Sequence, residues 1–101
     1  MKTKIKNIDE NNIEVVLQGE LDTLASQQFA TDMQPVMENS SKKIVMDFAD
    51  LEYISSSAMR TILLLQKTAS ANGGKVSIRN MSEEIRQIFQ LTGFDQMIDI
   101  L

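Results

Sequence analysis

The stretch from Lys43 to Arg79 limits the fold more than any other part of the chain. KIVMDF (43–48) is an apolar segment interrupted by Asp47. A nearly continuous apolar strand predicts burial on both faces, as in a parallel sheet with helices over it. TILLLQK (61–67) lies in a helix expected over about 56–71, and Asn72-Gly73-Gly74 is a strong helix stop. KVSIR (75–79) reads as a further strand. A strand–helix–strand unit of this length closes with a right-handed crossover and parallel strands.

The flanking segments build on that unit. Ile13, Val15 and Leu17 alternate with Glu14, Val16 and Gln18, the period-two pattern of a strand. Residues 8–12 are rich in turn formers, Thr3 to Asn7 supply the partner strand of a hairpin, and Gly19 ends the second strand. Ala25, Phe29, Met33 and Val36/Met37 predict a helix over about 23–39, capped by Asp22 or Thr23. Pro35 predicts a kink or an early break there. Ser82 caps a third helix bearing Ile85, Ile88, Phe89 and Leu91, which Gly93 closes. Residues 97–101 read as a last short strand or turn. No repeat, low-complexity tract or linker divides the chain, so one domain over 1–101 is expected. The fold class that follows is α/β: a small mixed sheet of about four to five strands, with an N-terminal hairpin and three main helices flanking it.

Composition removes several functions. The chain has no cysteine and no histidine, which excludes thiol chemistry and removes the commonest general base and zinc ligand. No metal site or cofactor is expected. Asp47 with Asp50 offers too few oxygens for a hard cation. A net charge of −4 disfavours nucleic acid. No apolar run approaches the roughly 20 residues of a membrane span, and MKTKIKNIDE has no apolar block of a signal peptide. A cytoplasmic protein without direct membrane insertion is expected.

The functional question falls on ISSSAMR (54–60), at the junction between the first apolar strand and its helix. At about 100° per residue, Ala58, Ile62, Leu65 and Ala69 share the core side, widened by Met59 and Leu63. Leu64 falls nearly opposite, with Ser57, Thr61 and Thr68, and Arg60 and Lys67 flank it. Such a stripe is either ordinary surface carrying one exposed leucine or a face that binds a partner. Ser55 or Ser56 suits the N-cap, which leaves Ser57 pointing out with a free hydroxyl. No histidine is present to activate it, and Lys67 is about two and a half turns away, so a serine hydrolase is not expected. Phosphorylation fits better. It adds about −1.5 to −2 charge near the positive end of the helix dipole, which the fold tolerates and a bound partner does not.

GELD (19–22), IVMDFADLEYISSSAMRTIL (44–63) and FQLTGFDQMIDIL (89–101) together resemble the STAS domain, the family of bacterial anti-sigma factor antagonists. The resemblance covers nearly the whole chain. It implies a binding module, not an enzyme. The unphosphorylated protein would bind a serine-kinase anti-sigma factor, phosphorylation would end the complex, and a serine phosphatase would restore it. The family's commonest motif, Asp-Ser-Ser-Gly-Leu, has its second serine as acceptor. Its residues fall in order on Ser55, Ser56, Ser57, Ala58 and Met59. Ser57 is then the acceptor, with Ser56 its competitor. Ser56, Ser57, Arg60, Thr61, Leu64 and Thr68 form the expected contact face. Asp22 and Asp47, read as strand-end residues, either join that rim or serve as a helix cap and a solvated or hydrogen-bonded carboxylate. The alternative implied by the same resemblance is a constitutive STAS subunit of a lipid-transport ATPase or a stress-signalling assembly.

Overall fold

The structure is a computed structural model and describes residues 2–101. One five-stranded sheet holds β1 (Lys2–Asp9), β2 (Asn12–Leu21), β3 (Lys43–Ile54), β4 (Lys75–Arg79) and β5 (Asp99–Ile100), in that spatial order. β1 and β2 are the expected antiparallel hairpin, and β2 through β5 run parallel. The hairpin turn is tighter than the expected five residues. The Asp9 carboxylate accepts from the Asn11 N–H at 2.7 Å and from the Asn12 side-chain amide, so only Glu10 and Asn11 lie outside the strands.

The helices are α1 (Thr23–Asp32), α2 (Gln34–Glu38), α3 (Ser56–Ala71) and α4 (Glu83–Thr92), with a 3₁₀ turn at Phe94–Gln96. The expected helix over 23–39 breaks at Met33 into α1 and α2. Pro35 occupies the first turn of α2, where its missing N–H has no intrahelical carbonyl to lose. The expected starts and stops of α3 and α4 are otherwise met, with Ser55 and Ser82 as N-caps and Gly93 closing α4.

Two expectations about the sheet need correction. The first concerns its faces. Successive parallel strands are added in one direction, β2 to β5, so right-handed crossovers place every helix on the same face. Ile13, Val15, Leu17, Ile44, Met46, Phe48, Val76 and Ile78 point to that face and are buried. There Phe48 meets Phe89 edge-on at 6.3 Å, and Phe89 meets Phe94 at 6.5 Å. The helices therefore do not flank the sheet. Its second face is open and carries Lys4, Lys6, Glu14, Val16, Val45, Asp47, Ser77, Arg79 and Asp99.

The second correction concerns strand length. β2 does not end at Gly19, and β3 does not end at Phe48. Their ladder continues to Leu21 and Ile54 through two bulges, each with one extra residue on β3. Buried positions on β3 accordingly change from every second residue to every third, at Phe48, Leu51 and Ile54. Gly19 sits beside the second bulge at φ +88°, which glycine adopts without steric penalty. Among the described residues no helix is long and apolar enough to cross a membrane.

Candidate functional site

The bulged ends of β2 and β3 deliver two helix starts side by side. Ser55 N–H donates to the Leu21 carbonyl at 2.8 Å and locks the two strand exits together. Asp22 then caps α1, its carboxylate accepting from the Ala25 N–H at 2.8 Å. Ser55 caps α3, its Oγ accepting from the Ala58 N–H at 3.2 Å. Ser55 is 3% exposed and is spent on this role.

Ser56 and Ser57 are both exposed, and no protein group among the described residues bonds either hydroxyl. They point to different flanks of α3. Ser56 lines a cleft of about 290 Å³ with Met59, Arg60, Thr92 and Phe94. Farther along the same flank, Leu63, Gln66, Lys67, Ser70 and Ala71 face Met97 across a groove of about 510 Å³. Neither depression includes Ser57, Thr61, Leu64 or Thr68. That stripe lies on the other flank, the one towards α1, which packs against α3. Thr61 and Thr68 are half-buried there, Leu64 is 55% exposed, and Thr61 Oγ1 donates to the Ser57 carbonyl at 3.4 Å. Arg60 is exposed but belongs to the cleft with Ser56 rather than to the stripe.

Asp22 is half-buried beside Ser55, as its place in the chain requires. Asp47 is not a strand-end residue. It lies seven residues and both bulges before Ile54, on the open face of the sheet. Arg79 bonds both Asp47 and Glu14, the Asn80 amide reaches the Asp47 carboxylate at 3.1 Å, and the Ala49 N–H reaches it at 2.9 Å. Burial pushes the Asp47 carboxyl up, but the Ala49 N–H, Asn80 and Arg79 outweigh it and hold the group below the ordinary carboxylate value. The structure thus gathers Ser56, Ser57, Arg60, Thr61 and Asp22 around the helix starts and leaves Asp47 in a separate ionic cluster. Asp50, its imagined partner in cation binding, accepts instead from Gln18 at 3.5 Å.

Three residues at the helix starts escaped the sequence reading. Leu24, in the first turn of α1, is 83% exposed, and Tyr53, near the end of β3, is 48% exposed. Glu20, paired with Tyr53 across the ladder, is exposed as well. The signal for Leu24 was present. It is out of phase with Ala25, Phe29 and Met33, as Leu64 is out of phase with its own core stripe.

Chemically, this site offers unbonded hydroxyls at the positive end of a helix dipole, an apolar strip and carboxylates. Among the described residues no group bonds the Ser57 hydroxyl, and a free hydroxyl at that place suits recognition and modification.

The family model of the STAS domain matches residues 3–101. A STAS-domain-containing protein of Pseudomonas aeruginosa is 29% identical over 97% of this chain and 96% of its own length. The anti-sigma-B factor antagonist of Bacillus subtilis is 26% identical over 91% of this chain and 84% of its own. Among solved structures, the anti-sigma factor antagonist SpoIIAA in its unphosphorylated form superimposes with a TM-score of 0.78 at 20% identity. That match covers 99% of this chain and 87% of SpoIIAA, and it supports the fold.

Proposed function

The chain belongs to the STAS domain family, and from that premise we propose that it is an anti-sigma factor antagonist switched by phosphorylation of Ser57. Unphosphorylated, it binds and sequesters a serine-kinase anti-sigma factor in the cytoplasm. The kinase transfers a phosphoryl group from ATP to Ser57 Oγ, the complex dissociates, and a serine phosphatase restores the hydroxyl. The chain is the substrate in this cycle and performs no catalysis itself.

The observation that carries the reading is the division among three adjacent serines. Ser55 is buried as a cap, Ser56 turns towards the Arg60–Thr92 cleft, and Ser57 stands free on the stripe with Thr61, Leu64 and Thr68. A phosphate at the second residue of α3 lies within the first turn, where the helix dipole favours negative charge. The fold therefore accommodates it. A partner seated over Leu64 would have to desolvate a dianion, and its binding is what changes. Ser55 in place of the motif's aspartate performs the same capping bond with a neutral oxygen.

Two measurements test the reading. The protein is incubated with ATP and each serine-kinase anti-sigma factor of its source genome, and phosphate is mapped by mass spectrometry. Phosphate is expected on Ser57 and absent from Ser57→Ala. Undiminished phosphate in that variant overturns the assignment in favour of Ser56. Leu64→Glu should weaken the complex while leaving the melting temperature nearly unchanged, because the side chain is already in water.

A further inference from the structure

The sheet ends differently at its two edges. At one, β5 is only two residues long. At the other, β1 runs for eight residues, with β2 on one side and no strand among the described residues on the other. Alternate residues of such an edge strand turn their N–H and C=O groups outward, where a further strand can bond them.

The two faces of β1 differ in chemistry. Ile5 pairs with the buried Val15, so it turns to the helix side of the sheet, where it stays 38% exposed. There Ile5, Asn7 and Ile13 of the hairpin and Pro35, Val36 and Asn39 at α2 line a hollow of about 60 Å³. Lys4 and Lys6, paired with Val16 and Glu14, turn to the open face, and both are exposed. Lys4 has no ion-pair partner among the described residues. Lys6 reaches Glu14 only at 3.8 Å, and Arg79 bonds Glu14 as well. A strand added to β1 would repeat its alternation. The residue opposite Ile5 would meet the hollow, and its two neighbours would meet Lys4 and Lys6. Lysines on an edge strand ordinarily guard it against pairing. Here they oppose a second copy of this chain, because antiparallel pairing of two β1 strands centred on Ile5 sets Lys4 of one against Lys6 of the other.

We propose that β1 is a docking edge for an extended segment of another protein, one in which carboxylates alternate with branched apolar side chains. Main-chain bonds to the outer edge of β1 hold the segment. Its apolar residue packs on Ile5 over the hollow, and the carboxylates before and after it reach Lys4 and Lys6. The lysines thus select: an acidic strand is admitted, and a basic strand or a second copy of β1 is refused. Residues 4–7 pair with the start of β2, whereas Ser57 follows the far ends of β2 and β3. The edge therefore works whatever the state of Ser57, and the chain can carry two partners at once.

The probes are two synthetic peptides of one composition. In Thr-Glu-Val-Glu-Val-Glu-Thr acid and valine alternate, and in Thr-Glu-Glu-Glu-Val-Val-Thr they are blocked. Each is titrated into the isotope-labelled full chain and followed by the backbone amide NMR signals. The alternating peptide should shift the amides of residues 4–8 and slow the exchange of the outward ones. The blocked isomer should bind roughly ten-fold more weakly, since it loses the match on one face or the other. Lys4→Glu combined with Lys6→Gln should weaken the alternating peptide by about the same factor. Both lysines are exposed and Glu14 keeps Arg79, so the melting temperature of that variant should stay close to wild type. Ser57→Glu should leave the affinity unchanged. No binding of the alternating peptide, equal binding of the two isomers, shifts centred away from β1, or an unmoved affinity in the lysine variant overturns the inference. So does a concentration-dependent dimer of the wild type that protects the β1 amides, because the edge then belongs to a second copy. Loss of binding in Ser57→Glu overturns the independence of the two sites.

Discussion

Replacing Ser55 by alanine removes the one side-chain oxygen that satisfies a backbone N–H at the start of α3. The expected cost is about 1 kcal/mol in urea unfolding, the usual worth of such a cap. A loss within error would mean that the neighbouring Leu21–Ser55 backbone bond holds the helix start without the hydroxyl. At this scale the sequence was informative wherever a helix sets direction. The 100° step per residue separated Ser57 and Leu64 from the core side, and Leu64 is indeed exposed. It failed at Asp47, whose partners Arg79 and Asn80 stand more than thirty positions away in the chain. No local pattern announces an ion pair made across a parallel ladder. Leu24 was legible by the same helical step, since it is out of phase with Ala25, Phe29 and Met33, but an out-of-phase leucine in the first turn does not by itself stand apart from ordinary surface.

Among the elements, the turn from α3 into β4 is the least forgiving. A Cβ on Gly74 would lie 2.0 Å from the Ser40 carbonyl oxygen and 2.5 Å from that of Lys42. Both obstacles are backbone. Gly74→Ala must push the α2–β3 connection away from the start of β4, and should cost at least about 2 kcal/mol by urea unfolding. A neutral result would show that this connection yields freely. Asn72-Gly73-Gly74 was legible as a helix stop, but its close approach to residues 40–42 was not, because it depends on where another connection passes. The length of β3 was hidden for a related reason. Period-two alternation predicts a strand well only until a bulge resets it, and after Phe48 the spacing of three looks like neither strand nor helix. The apolar run 43–48 likewise suggested two buried faces. The outward Val45 is half-exposed among Glu14, Asp47 and Ser77, which a single strand's sequence does not reveal.

Across the whole molecule, the open face of the sheet is held by charges and the closed face by apolar packing, so acid should attack one before the other. The Asp47 carboxyl is pushed up by burial but held, net, below its ordinary value of 3.8 by the Ala49 N–H, Asn80 and Arg79. Asp99 is held below its ordinary value by the Ser77 hydroxyl and by Lys75. Both groups bind protons more weakly folded than unfolded. Their stabilising contribution is therefore complete above about pH 4 and lost as pH falls through the lowered folded values. Urea unfolding measured from neutral pH downwards should show a plateau and then a fall, and Asp47→Asn should make that fall shallower. A fall beginning near neutral pH would implicate other groups. The order of strands has a last consequence, for assembly. Each strand pairs with the one made just before it, so no later segment has to enter between two that are already joined. The parallel pairs nevertheless close only over whole crossovers of about twenty residues each, which slows folding relative to the β1–β2 hairpin. During synthesis the two helix starts around Ser57 are framed once β4 is laid down. α4 and β5, arriving last, add Ile85 and Phe89 to the core, close the sheet's far edge and complete the cleft beside Ser56.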